Sequence, residues 1–179
     1  MKGLSQEKKQ TETEVTRTLE PTEYDRIAEK YLDSVYRATL TYCKNKENAE
    51  DAVQNAFIKL FSTDTVFTDD EHIKKWLIRT AINDCKNVFV SFRSKKVISI
   101  DELDTEPSYI EHDADTNELF GIITTLPQNY RTVIYLYYYE GYSVKEIAEI
   151  VGTSESNVQN RLMRARKKLE SMLKKEDWI

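Results

Sequence analysis

Between residues 156 and 168 the chain sets Ser156, Gln159, Asn160, Arg161, Arg164, Arg166, Lys167 and Lys168 among apolar residues that begin at Val158 and end at Leu169. Amides and hydroxyls bond base edges, and guanidinium and ammonium groups neutralise phosphates. None of these groups, so arranged, makes or breaks a covalent bond, so the chemistry on offer is recognition. Val158, Leu162, Ala165 and Leu169 recur at helical spacing and share one face. At roughly 100° per residue the opposite face collects Ser156, Asn160, Met163, Arg164 and Lys167. Gln159, Arg161, Arg166 and Lys168 flank it. An apolar back with an amide-and-guanidinium front is what a helix lying in a DNA groove requires. The residues on which recognition is expected to rest are Ser156, Gln159, Asn160, Arg161, Met163, Arg164 and Lys167.

A second short helix must hold this one in place. Val144, Ile147, Ala148 and Val151 form an apolar stripe, and Gly152 ends it, because glycine accepts the left-handed conformation of a helix C-terminus. Thr153 or Ser154 can cap the helix that follows. Upstream, Leu126-Pro127 starts another helix, with proline in its first turn, running through Val133, Ile134 and Leu136 to a stop at Gly141. By pattern alone this is a helix-turn-helix, or else an ordinary amphipathic hairpin with a solvated charged face.

Composition narrows the function classes. The chain has 179 residues, 40% hydrophobic and 32% charged, with 4 Gly and 3 Pro, which suits one or two small helical domains. No apolar run approaches the roughly 20 residues that cross a bilayer, and the N-terminus lacks a signal-peptide core, so a cytoplasmic location is expected. Cys43 and Cys85 have no partners at metal-ligand spacing, and His72 and His112 form no cluster. No glycine-rich phosphate loop and no nucleophile–base arrangement appears, so an enzyme is not expected and no cofactor is implied. The net charge of −5 argues against strong unaided DNA binding. It is uneven, however. Residues 101–118 carry carboxylates and no Lys or Arg, whereas residues 74–96 and 161–175 are mostly basic.

The N-terminal half reads as a three- or four-helix domain. After a polar lead over residues 1–21, expected to be disordered, Thr22 can cap a helix whose apolar positions are Tyr24, Ile27, Ala28, Tyr31, Leu32, Val35 and Tyr36. A second helix starts near Asn48, with Asp51 approximating a capping box, and buries Ala52, Val53, Ala56, Phe57, Leu60 and Phe61. A loop over 62–70 leads into a third, with Ile73, Leu77, Thr80, Ala81 and Val88 inward and Lys75, Arg79 and Lys86 on the outer side. Residues 97–115 are acidic, contain Pro107 and lack helical periodicity, so they read as a tether.

Three stretches carry a family resemblance. Leu126-Pro127, Arg131, Glu140-Gly141, Glu146-Ile147-Ala148 and Arg164-Ala165-Arg166 resemble region 4 of the extracytoplasmic-function (ECF) sigma factors of bacterial RNA polymerase. Ser156-Asn157-Val158 departs from the Gly-Thr-Val of many members. Asn48 to Phe61 is similar to sigma region 2.2, and Lys75 to Asn83 to the helix that handles the minus-10 promoter element. The resemblance implies an all-α chain of two helical domains: region 2 over 22–96, the acidic linker over 97–115, region 4 over 116–172 and a tail over 173–179. It implies core polymerase as a partner, through the β′ clamp helices and the β flap, with Asp51, Gln54, Asn55, Phe57 and Lys59 at the clamp. Asn55 stands where an acidic residue is usual. Promoter DNA is the second implied partner, with the helix at 155–169 on the minus-35 element.

At the minus-10 element the family flips a base, and a pocket must return the few kcal/mol of lost stacking. Here the resemblance implies Asn83 reading a base edge and Lys75, Arg79 and Lys86 holding phosphates. Phe67 in the preceding loop either stacks on a base or packs back on its domain. Trp76 reads as core. The resemblance further implies an anti-sigma factor as regulator, and a role for the acidic linker along the RNA-exit path. The alternatives are a stand-alone helix-turn-helix regulator, which should dimerise on paired half-sites, and a helical adaptor that binds only proteins.

Overall fold

The computed structural model describes residues 21–95 and 118–175. The expectations for the N-terminal lead, the acidic linker and the last residues fall outside them. Every regular element in the described residues is an α-helix, seven in all, and none of those helices is long and apolar enough to cross a membrane.

The first group is α1 (Pro21–Cys43), α2 (Lys46–Ser62) and α3 (Asp70–Lys95), three helices that pack on one another. Their shared core holds Ile27, Val35, Ala49, Ala56, Leu77, Ile78, Ala81 and Ile82, none more than 1% exposed. Two starts differ from the sequence expectation. Thr22 lies inside the first turn of α1, because Pro21 already belongs to the helix and a proline costs nothing there. Helix α2 begins at Lys46, not near Asn48. Asn45 is its cap, extended at φ −131°, and its side chain accepts the Asn48 N–H at 2.8 Å. The α1–α2 corner is therefore two residues long, with Lys44 in the left-handed region at φ 54°. The Asp69 carboxylate caps α3 by accepting the His72 N–H at 2.7 Å. Asp70 then ties that end to α1 through two bonds from Arg26, at 2.7 and 2.9 Å, and one from Lys30 at 2.8 Å.

The second group is α4 (Glu118–Thr124), α5 (Gln128–Tyr138), α6 (Val144–Val151) and α7 (Glu155–Lys175). Pro127 is the cap of α5 rather than part of its first turn, and α5 ends at Tyr138, before the turn that contains Gly141. Gly141 sits at φ 74°, and Tyr142 N–H reaches back to Leu136 O at 3.0 Å. That bond, with Glu140 N–H to Tyr135 O at 3.3 Å, gives the last carbonyls of α5 donors as the chain turns away. Helix α4 was not anticipated as a separate element.

The two groups pack together, α5 on α1 and α6 on α3. Arg131, 3% exposed, donates to Thr41 O at 2.6 Å, Tyr42 O at 2.9 Å and Leu126 O at 3.0 Å. Gln128 adds a bond to Tyr42 O at 3.1 Å. Thr41 and Tyr42 lie in the last turn of α1, whose carbonyls lack partners within the helix and carry partial negative charge. The second domain thus supplies the C-terminal cap of the first domain's leading helix. Across the interface the Glu140 carboxylate accepts from Ser34 Oγ at 2.6 Å and pairs with Lys74 at 2.8 Å, with both ionic side chains largely buried. Burial between the domains also pushes the Tyr42 phenol up to about 12.

Candidate nucleic-acid interface

Helix α7 owes its position to caps on both sides of a tight turn. Ser143 Oγ accepts the Glu146 N–H at 3.3 Å, and the Glu146 carboxylate accepts the Ser143 N–H at 3.0 Å. These reciprocal bonds form a capping box at the start of α6. The Ser143 N–H, and then the Ser143 hydroxyl donating at 2.7 Å, hold the Glu146 carboxyl below its ordinary value. Gly152 closes α6 at φ 68°, where a side chain would be strained, and Thr153 N–H returns to Ala148 O at 3.0 Å. Of the two candidate caps for α7, Ser154 serves, accepting the Asn157 N–H at 3.3 Å.

The faces of α7 fall as their spacing predicts. Val158, Leu162 and Ala165 are buried against α5 and α6. Ser156, Gln159, Asn160, Met163, Arg164 and Lys167 are all exposed, Met163 to 59%. Arg161 is half-buried and close enough to α3 for its charge to act on Lys86. Arg166, on the flank, donates to Tyr138 Oη at 2.9 Å and lies over the Tyr137 and Tyr138 rings at 5.7 Å. The exposed front, about three turns long, offers amide donors and acceptors in its first half and two cations in its second, the set that reads adenine or guanine edges and holds phosphates.

The edge of α3 is placed differently. Lys75, Arg79, Asn83 and Lys86 do form one stripe, but most of it faces the second domain. Lys75 Nζ stands 3.4 Å from Glu149 and 3.8 Å from Glu146, both on α6. Lys86 Nζ donates to Val151 O at 2.9 Å and to Asn83 Oδ1 at 3.2 Å. Burial, helped by the nearby charges of Arg79 and Arg161, pushes the Lys86 ammonium down. Arg79 alone of the four is exposed. Phe67 takes the second of its two expected roles. It is 5% exposed, its ring meets Trp76 edge-on at 5.8 Å and His72 at 5.4 Å, and it offers no stacking face. An aromatic in a short loop beside an open core gains more from burial than from solvent.

On α2, Asp51, Gln54 and Asn55 are exposed as one polar face. Lys59 shares that surface but is tied to Asp84 of α3 at 2.6 and 2.8 Å. The Phe57 ring is buried, at 6% exposure, and its carbonyl accepts from Tyr24 Oη at 2.8 Å. It floors a groove of about 590 Å³ between α1 and α2, whose walls include Leu32, Tyr36, Val53, Gln54 and Ile58. Leu32 and Phe61, expected in the core, are 50% and 63% exposed, as is Ile58 at 57%. Phe61 instead stacks on Tyr24 with centroids 3.4 Å apart. Periodicity missed this groove, although Ile58 could have signalled it, since it stands off the buried stripe of α2.

Among the described residues no three His, Cys, Asp or Glu side chains come together to hold a metal. The two thiols are free and buried, donating to Asn45 O at 3.3 Å and to Asn48 O at 3.9 Å, and their influence on each other pushes Cys43 down and Cys85 up.

Comparison with known proteins agrees with this architecture. The model of sigma-70 region 2 matches residues 27–96, and that of sigma-70 region 4 matches residues 117–169. The chain is 31% identical to the ECF RNA polymerase sigma factor SigM of Bacillus subtilis, over 83% of this chain and 93% of that one. It is 34% identical to the RNA polymerase sigma factor SigV of the same organism, over 79% and 86%. In fold it is similar to the sigma factor RpoE of Bartonella quintana, solved with the anti-sigma factor NepR, at a TM-score of 0.61 and 18% identity. That likeness covers 86% of this chain and 98% of that one.

Proposed function

The chain belongs to the ECF sigma factors of bacterial RNA polymerase and directs transcription initiation, and on that premise we propose which of its surfaces meet which partner. Helix α7 lies in the major groove of the minus-35 element. Asn160 and Gln159 bond base edges, Arg164 reads guanine or spans to the backbone, Lys167 neutralises a phosphate, and Ser156 meets the groove at the helix start. Met163, apolar and exposed, contacts a thymine methyl. The observation that carries this reading is the sorting of α7 into a back buried at Val158, Leu162 and Ala165 and a front exposed at Ser156, Gln159, Asn160, Met163, Arg164 and Lys167.

In the first domain, Asn83 reads a base of the melted minus-10 strand, while Lys75, Arg79 and Lys86 hold its phosphates. Phe67 lies beneath this site as support for Trp76. Core polymerase docks on the face of Asp51, Gln54 and Asn55 and the adjoining apolar groove, with Ile58 and Leu32 as its apolar anchors. The chain performs no bond chemistry. The polymerase supplies the catalytic metals, and the protein works in the cytoplasm. Because RpoE of B. quintana was solved with an anti-sigma factor, we assign this chain a regulator of the same kind. The acidic residues 97–115 serve as a tether toward the RNA-exit path.

Run-off transcription with purified bacterial core polymerase, on the DNA upstream of the chain's own gene, tests the assignment. Transcripts that need both core and this protein are expected, and Gln54→Ala paired with Ile58→Ala should abolish them while leaving the fold intact. Binding to that DNA as a dimer without core, and no transcript with it, would instead support a stand-alone regulator.

A further inference from the structure

The groove between α1 and α2 has two unlike ends. At one, Tyr24 donates to Phe57 O at 2.8 Å and stacks on Phe61, with Ile58 exposed beside them, so this end is apolar. At the other the walls are Tyr36, Asp33 and Glu50, and Glu50 lies near enough to Tyr36 for its charge to act on the phenol. The Asp33 carboxylate, 75% exposed, pairs with Arg37 one turn on, a surface contact readily exchanged for another. Tyr24 and Tyr36 are twelve residues apart on α1, about 18 Å at the α-helical rise.

Helix α1 begins at Pro21, one turn before Tyr24, so the twenty residues that precede it join the first domain at the apolar end of the groove. Their sequence matches the groove when extended. Thr11, Thr13 and Val15 are β-branched, which favours that conformation. Alternation then puts Lys9, Thr11, Thr13 and Val15 on one side and Gln10, Glu12 and Glu14 on the other. Lys9 and Val15 are six residues apart, about 20 Å of extended chain and so the length of the groove. With Val15 at the apolar end, Lys9 comes to Asp33 and Glu50, and both glutamates turn to solvent. Residues 16–20 supply the reversal between that path and α1.

We propose that residues 9–15 lie along this groove in the free chain and cover the surface offered to core polymerase, so that the chain carries its own competitor for that site. The covering depends on the groove and the lead alone, whereas the competition rests on the reading of the groove as a polymerase surface. Ordering these residues for one aliphatic side chain and one charge pair yields a weak contact. A tether this short, however, holds the segment at an effective concentration on the order of millimolar. The groove is then covered in most free chains, and core polymerase binds the rest.

The test uses the full chain with the photo-crosslinker benzoylphenylalanine in place of Thr13. Irradiation without polymerase should join it to the α1 and α2 peptides that wall the groove, as read by mass spectrometry. Val15→Asp combined with Lys9→Glu should remove most of that product, and Glu12→Gln, on the outward side, should leave it unchanged. Crosslinks between two chains, or spread evenly over the molecule, overturn the covering. The affinity of the same variants for purified core polymerase, without the crosslinker, tests the consequence. Val15→Asp with Lys9→Glu should tighten it about threefold, the gain expected when roughly two thirds of free chains are covered, and Glu12→Gln should not. Groove crosslinks without that gain overturn the competition and take the groove out of the polymerase surface. Neither groove crosslinks nor a gain overturns the proposal as a whole and leaves the polymerase reading to Gln54→Ala paired with Ile58→Ala.

Discussion

Helices α3 and α7 are built to one plan, an apolar back and a front of Lys, Arg and Asn, yet they meet solvent differently. The front of α7 is open along its first three turns. On α3, Lys75 and Lys86 are engaged by α6, and Asn83 is bonded to Lys86. The difference does not arise within either helix. It arises because a buried arginine and a buried glutamate of the second domain fasten onto α1 and the start of α3, and so carry α6 over the first domain's basic edge. Side-chain chemistry decides what a helix offers, while domain packing decides which of those side chains face solvent.

The largest effect that would sharpen this comparison comes from the apolar backs. Leu77→Ala on α3 and Leu162→Ala on α7, both essentially buried, should each cost about 3 kcal/mol of stability. If the interface couples the domains, either variant shifts one shared calorimetric transition. Two separate transitions would show that the domains unfold independently. Arg131→Ala should cost about 2 kcal/mol, since it removes the Arg131 donor from Thr41 O and leaves Tyr42 O with Gln128 alone. Urea unfolding measures this, and an effect below a few tenths of that size would mean that Arg131 does not help to hold the domains together.

On the open helix the expected losses concern DNA rather than stability. Asn160→Ala should lower preference at one minus-35 base pair about tenfold. Lys167→Ala should weaken binding evenly across sequences and reduce the salt slope by about one. Equal losses on every promoter for both would break the division of roles. The smallest effect is a pH dependence. Hydrogen bonds from Arg26, then Lys30, hold the Asp70 carboxyl well below the usual carboxylate range. Its folded value lies below its unfolded one, so its contribution is complete above about pH 4 and is lost as the pH falls further. Asp70→Asn should flatten the acid limb of stability in that window and change little at pH 7.

What could be read from the sequence was whatever a helix determines within itself. The backs of α2, α6 and α7 follow from spacing, because a 3.6-residue period leaves no other way to gather Val158, Leu162 and Ala165. The turn at Gly152 follows from glycine's access to positive φ. Features that depend on a distant partner were not legible. Asn45 and Asn48 are both competent caps, and only the tight corner at Lys44 selects the first. Phe61 has the spacing of a core residue but stacks on Tyr24 of α1 at the surface. Arg131 meets Thr41 across 90 residues, and nothing local in either segment announces it. For the same reason the α3 stripe was identified as a cationic edge but not as a covered one.

The most direct measurement of the account is a promoter-selection experiment. Core polymerase would be given templates randomised over the minus-35 element, and the transcribed templates sequenced, for the wild type and for Asn160→Ala. The account predicts a change of base preference confined to one or two adjacent positions, with the minus-10 preference intact. Unchanged preference at every minus-35 position, with transcript yield merely reduced, would contradict the assignment of α7 as the reading helix.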